Sequence, residues 1–251
     1  KTTLVLNLAG IYAEMNKKVL VIDFDLCSGG IALSLNIDVK KDVYNLADDI
    51  NNNRYKDIVD YITVYNKNID VLACPKDPRS AVKIDPKYVA LILARVVDSY
   101  DVVLVDTSHV LDPISLSALD KADKTLLVLS NDPVDLKNTK SLISIFKDIE
   151  KDDYVIVLNS SKDTGKDYFS MFEMKNAIKN PINYEISKSF YIPDIDKYVM
   201  SGEILTLNPK IRFSNRKDIN TFNKIAEDLI KEDKVKKGDE VDGKEELNWW
   251  V

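Results

Sequence analysis

Short runs of valine, isoleucine and leucine recur along the chain at residues 19–23, 69–74, 101–106, 125–130 and 154–159. Each is continuously apolar rather than alternating, the pattern of a strand covered on both faces, as in a parallel sheet. Between and around them the apolar positions follow a helical period, predicting helices over 3–16, 86–99, 113–121, 135–150 and 167–179. A last amphipathic helix is expected over 216–232, with Ile219, Phe222, Ile225, Ala226, Leu229 and Ile230 on one side. Pro86 after Asp85 marks one helix start, and Asp135 is the expected cap of the helix after Asn131-Asp-Pro133. Strands alternating with helices give an α/β fold, a doubly wound and mainly parallel sheet flanked by helices. Residues 1–232 are read as one domain, and 233–251, of mixed charge, as a solvated tail.

Composition narrows the functional classes. The 251 residues carry a net charge of −6, with 35 Lys+Arg against 41 Asp+Glu, which argues against a nucleic-acid partner. No apolar run reaches the roughly 18 residues of a membrane span and no signal peptide is evident, so a cytoplasmic protein is expected. Two cysteines, Cys27 and Cys74, are too few for a disulfide scaffold and read as small core residues. A single histidine, His109, leaves no His-based metal site or triad. Only seven glycines are present, where a usage of about 7% would be ordinary. That shortage at first counts against a glycine-rich phosphate loop.

Four places carry candidate chemistry, because ligands of an open α/β sheet bind at the carboxyl ends of its strands. Lys1-Thr2-Thr3 opens a helix, as do the lysine and hydroxyls that close a phosphate loop; a threonine N-cap is the plain alternative. Asp23 and Asp25 leave a buried strand together and could serve a magnesium ion or the attacking water, or simply form a turn. Asp106 closes four apolar residues, as a Walker B carboxylate does. Asn159 and Pro193-Asp194 fall late, where a base-binding edge would lie; either could equally start a loop.

In this order and strand context these residues resemble the deviant Walker A ATPases of the MinD/ParA group, over about residues 1–230. Asp23-Phe-Asp25-Leu-Cys-Ser-Gly29, the stretch from Asn68 to Pro78 and Ala122-Asp-Lys-Thr-Leu-Leu-Val-Leu-Ser130 are most similar to the CpaE/TadZ pilus-assembly branch. The resemblance implies ATP and Mg²⁺ as cofactors. It puts Lys1, Thr2 and Thr3 on the phosphates, Thr2, Asp23 and Asp106 around the metal, Asp25 with Lys1 in catalysis, and Asn159, Pro193 and Asp194 around adenine. It places the loop glycines, a strand and a signature lysine ahead of Lys1, which accounts for part of the glycine shortage and predicts weak or no ATP binding by residues 1–251 alone. After Asp106 the chain has Thr107-Ser-His109 where relatives often carry a proline.

The implied function is a dimerising switch ATPase. Its ATP-bound homodimer would position or support pilus or secretion assembly proteins at a cell pole or the inner face of the membrane. A nucleotide-binding scaffold with little turnover is one alternative. A bacterial tyrosine-kinase-like P-loop domain is another, although no tyrosine follows residue 232.

Overall fold

The computed structural model describes residues 1–160, 168–191, 201–231 and 248–250. Its strands are β1 (Val19–Phe24), β2 (Thr63–Val64), β3 (Ile69–Leu72), β4 (Val102–Thr107), β5 (Thr125–Leu129), β6 (Tyr154–Asn159), β7 (Tyr184–Ile186) and β8 (Asn248–Trp250). They form two sheets, ordered β2-β3-β1-β4-β8 and β5-β6-β7. Every pairing is parallel except β2 with β3. The helices are α1 (Thr2–Glu14), α2 (Ile31–Ser34), α3 (Val43–Asn51), α4 (Pro78–Ala81), α5 (Lys87–Val96), α6 (Pro113–Lys121), α7 (Pro133–Asp148), α8 (Met171–Ile178), α9 (Lys188–Tyr191), α10 (Pro209–Ser214) and α11 (Arg216–Ile230). The expected doubly wound, mainly parallel sheet flanked by helices is the observed architecture.

Side-chain parity along the strands sorts the core into layers. Val19 and Val21 of β1, Val102 and Leu104 of β4, and Val157 of β6 face α1 and α11 in one continuous cluster. Leu20 and Ile22, with Val103 and Val105, face α3 and α5 in a second cluster. Leu127 and Leu129 of β5, with Ile156 and Leu158 of β6, face α7 and α8 in a third. The α1 layer therefore spans both sheets, whereas the opposite face is split between two cores. Phe222 of α11, fully buried, packs against Phe190 with ring centroids 5.1 Å apart and the rings tilted by 53°.

Several local expectations are corrected. The cap of α7 is Asp132, whose side chain accepts from the amides of Val134 and Asp135; with Pro133 in the first helical position, the helix starts two residues earlier than expected. Cys27 is exposed and departs from the expected core position, whereas Cys74 is half-buried and packs against the second core cluster. Asn248–Trp250, expected within a solvated tail, form a strand on β4, because that edge offers unpaired backbone groups to any segment able to lie beside it. The neighbouring tail residues 232–247 lie outside the described residues, as does Val251.

α1 meets the short 3₁₀ turn Leu205–Leu207 at Gly10, where a Cβ would collide with Thr206 Oγ1 and come within 2.8 Å of Ile204. The Thr206 hydroxyl donates to the Asn7 carbonyl at 2.7 Å, and the Asn7 side chain accepts from the Thr206 amide at 3.0 Å. Gly10→Val is expected to destabilise the fold by about 1–3 kcal/mol. Gly30→Ala, where a Cβ meets nothing within 4 Å, should leave the thermal midpoint nearly unchanged. Thermal denaturation of the two variants side by side checks the contrast.

Candidate functional site

Register and parity build the site. In the parallel pairing of β1 with β4, Asp23 lies opposite Asp106. Asp23 shares the parity of Val19 and Val21, and Asp106 that of Val102 and Leu104, so both carboxyl groups face α1. α1 begins at the same edge. Its N-terminus has no side-chain cap, so the first-turn amides and the positive end of the helix dipole are available there. Thr2 Oγ1 donates to Asp106 Oδ2 at 2.5 Å, and Lys1 Nζ donates to the Ser108 carbonyl at 2.6 Å.

Asp23 is fully buried. It accepts from the amides of Asp25 and Ile31, each at 3.2 Å. Gly29 closes over it, since a Cβ there would stand 2.5 Å from both carboxylate oxygens and 2.6 Å from Cys74 Sγ. Burial, and then the charge of Asp106, push the Asp23 carboxyl up to about 7. Burial raises the Asp106 carboxyl too, against the lowering hydrogen bond from Thr2. Desolvation lowers the Lys1 ammonium, while Asp106, Asp25, Asp135 and Asp112 push it back up. Cys74, beside Asp23, is pushed up to about 12, chiefly by burial. Asp25 stands just beyond β1, its carboxylate accepting from the Ser28 amide at 3.3 Å.

The structure thus brings Lys1, Thr2, Asp23, Asp25 and Asp106 to one sheet edge. Thr3 lies in the first turn of α1, its carbonyl accepting from the Asn7 side chain at 2.8 Å. Asn159 ends β6, buried on the α1 face, with its carbonyl oxygen accepting from the Tyr191 hydroxyl at 2.6 Å. It does not line the cleft at Lys1. Pro193 and Asp194 lie outside the described residues. His109 is exposed on the loop after β4 and lines that cleft. Sequence reasoning missed Asp112 and Asp135 as part of the field around Lys1. Each reads as a helix-start residue, and only the fold brings them near the lysine.

The donor set suits a hard divalent ion. No group of three or more His, Cys, Asp or Glu residues able to hold a metal occurs among the described residues. One hydroxyl and adjoining carboxylates leave most positions to water and phosphate, as Mg²⁺ prefers. The uncapped first turn of α1 beside Lys1 suits an anion.

A sequence profile described as "AAA domain" matches residues 1–160. The chain belongs to this family. Its fold is that of the MinD/ParA P-loop ATPases. Over 91% of this chain and 93% of the other, it superposes on a ParA family ATPase from Chlorobium tepidum TLS with a TM-score of 0.72 at 19% identity. Over 92% and 90%, it superposes on the septum site-determining protein MinD complexed with Mg-ADP from Pyrococcus horikoshii OT3, with a TM-score of 0.73 at 22% identity. A plasmid partition protein from Borrelia burgdorferi B31 bound to AMPPNP gives 0.64 at 16% identity, over 88% and 92%. None of the curated proteins matches the sequence. No helix among the described residues is long and apolar enough to cross a membrane.

Asp23 gives a prediction about pH. Its folded value of about 7 lies above the ordinary 3.8, so the buried carboxyl costs no stability at low pH and a growing amount as pH rises from about 4 to 7. The ceiling is about 4 kcal/mol, from 1.36 kcal/mol per unit. Asp23→Asn removes the charge and should melt within a few degrees of wild type at pH 4–5 but clearly higher at pH 8. Melting curves across that range check whether the gap opens with pH.

Proposed function

We propose that this domain is an ATP-hydrolysing, dimerising switch of the deviant Walker A type, closest to the CpaE/TadZ branch. The observation that carries the reading is the hydrogen bond from Thr2 to Asp106, with Lys1 beside it at the uncapped start of α1. A hydroxyl bonded to a strand-end carboxylate under a helix N-terminus is the arrangement a nucleotide triphosphate and its metal require. Lys1 would contact the terminal phosphates, with Thr2 and Thr3 at the helix start. Thr2, Asp23 and Asp106 would hold Mg²⁺, which when bound neutralises phosphate charge. Asp25, at the open end of β1, would orient the attacking water. Asn159, Pro193 and Asp194 would surround adenine.

The domain runs over residues 1–232. Two copies would close face to face over ATP and part after hydrolysis, and the paired form would position pilus or secretion assembly proteins in the cytoplasm at a pole or membrane face. Relatives lend general support to nucleotide use: the Pyrococcus protein is complexed with Mg-ADP and the Borrelia protein is bound to AMPPNP.

Single-turnover hydrolysis with Mg²⁺ on the full-length protein tests the reading. Asp25→Ala should bind ATP as wild type does and hydrolyse it about 100-fold more slowly or worse. Equal background rates in both, with binding intact, would leave a nucleotide-binding scaffold instead.

A further inference from the structure

Asn159 closes β6 at the carboxyl edge of its sheet, on the face that Val157 gives to the α1 layer. Asp23 and Asp106 end their strands on the α1 face as well. Asn159 is buried, and its Oδ1 accepts from the Tyr191 hydroxyl at 2.6 Å. Tyr191 is buried too, its ring meeting that of Phe190 edge-on at 5.0 Å. Burial holds the Tyr191 hydroxyl protonated well above the usual tyrosine range. α9, which carries Tyr191, is fastened just ahead of its first residue. There the amide and the hydroxyl of Ser187 each donate at 2.8 Å to the buried carboxylate of Asp218 on α11.

A hydroxyl proton in a dry site needs an acceptor. Among the described residues that acceptor is Asn159 Oδ1. Turning the carboxamide over would set its NH₂ against the hydroxyl and orphan the phenolic proton, so the group is held in one orientation. Orientation matters to a purine. At its N1 and 6-position edge adenine offers an acceptor beside an amino donor, whereas guanine and hypoxanthine offer an N1–H donor beside a carbonyl acceptor. A carboxamide has one donor end and one acceptor end, so it pairs with either edge, but in opposite orientations. We propose that Tyr191 sets the base preference of the nucleotide site by locking the Asn159 carboxamide in the orientation that reads adenine. The proposal rests on the reading of Asn159 as an adenine contact. Tyr191 acts through Asn159 and is a positioning residue.

Equilibrium binding of ATP, ITP and GTP to the full-length protein, with Mg²⁺, tests it; ITP carries the guanine-type edge without the 2-amino group. Wild type is expected to bind ATP about tenfold or more tighter than ITP. Tyr191→Phe removes the lock and keeps the ring. It should bring ITP to within about threefold of ATP, by a gain for ITP as well as a loss for ATP, with far-ultraviolet circular dichroism confirming the fold. A purely structural role would weaken all three nucleotides alike and leave their ratios unchanged. Unchanged ratios in Tyr191→Phe, with Asn159→Ala losing the preference for ATP, would overturn the lock and leave the adenine contact standing. ATP binding unaffected in Asn159→Ala would remove the contact itself, and the proposal with it. Equal binding of ATP and ITP by wild type would overturn the proposal even where Tyr191→Phe fails to fold.

Discussion

The six-residue parallel pairing of β1 with β4 is the constraint on which the rest depends. Slipping it by one residue would turn Asp106 away from α1 while Asp23 stayed, and would trade the valines of one layer for those of the other. The register is held by burial on both faces, since almost every residue of both strands belongs to a packed core. Two carboxyl groups are thereby fixed side by side, at a stability cost the apolar layers absorb. The hydrogen bond from Thr2 then ties the helix to the sheet at the point where charge is concentrated.

The cost is concentrated at Asp23. A carboxyl with no solvent contact, a second carboxyl across the ladder and a glycine pressed against its oxygens is an arrangement that a fold maintained only for stability would replace with an apolar residue. Local rules are broken where a ligand of opposite charge would relieve them. The charges of the exposed surface need no such account, because surface ion pairs such as Lys76 with Asp38 contribute little.

Most of the fold was legible because buried parallel strands announce themselves: all five apolar runs are strands, ending within two residues of their expected limits. Most of the elements that escaped notice are short, the exception being the nine residues of α3, capped by Asp42. β7, three residues long with an exposed glutamate at its centre, has too little apolar content to stand out. α2, α4 and α9 have four residues each and show no period. In the site, lysine, threonine and the three aspartates were visible as residue types at the ends of apolar runs. The Ser108 carbonyl on Lys1, the buried Asn7 linking α1 to Thr206 and the Tyr191 hydroxyl on Asn159 were not. Each joins positions far apart in the chain, and nothing in a single sequence marks them as neighbours.

The division of the core has a mechanical corollary. On the α1 side the two sheets are bound into one layer by α1 and α11, while on the other side the core is cut between the β1–β4 half and the β5–β7 half. α1 and α11 are thus the shared support of the two sheets, and the lysine and threonine at the start of α1 stand on the one layer that both halves have in common.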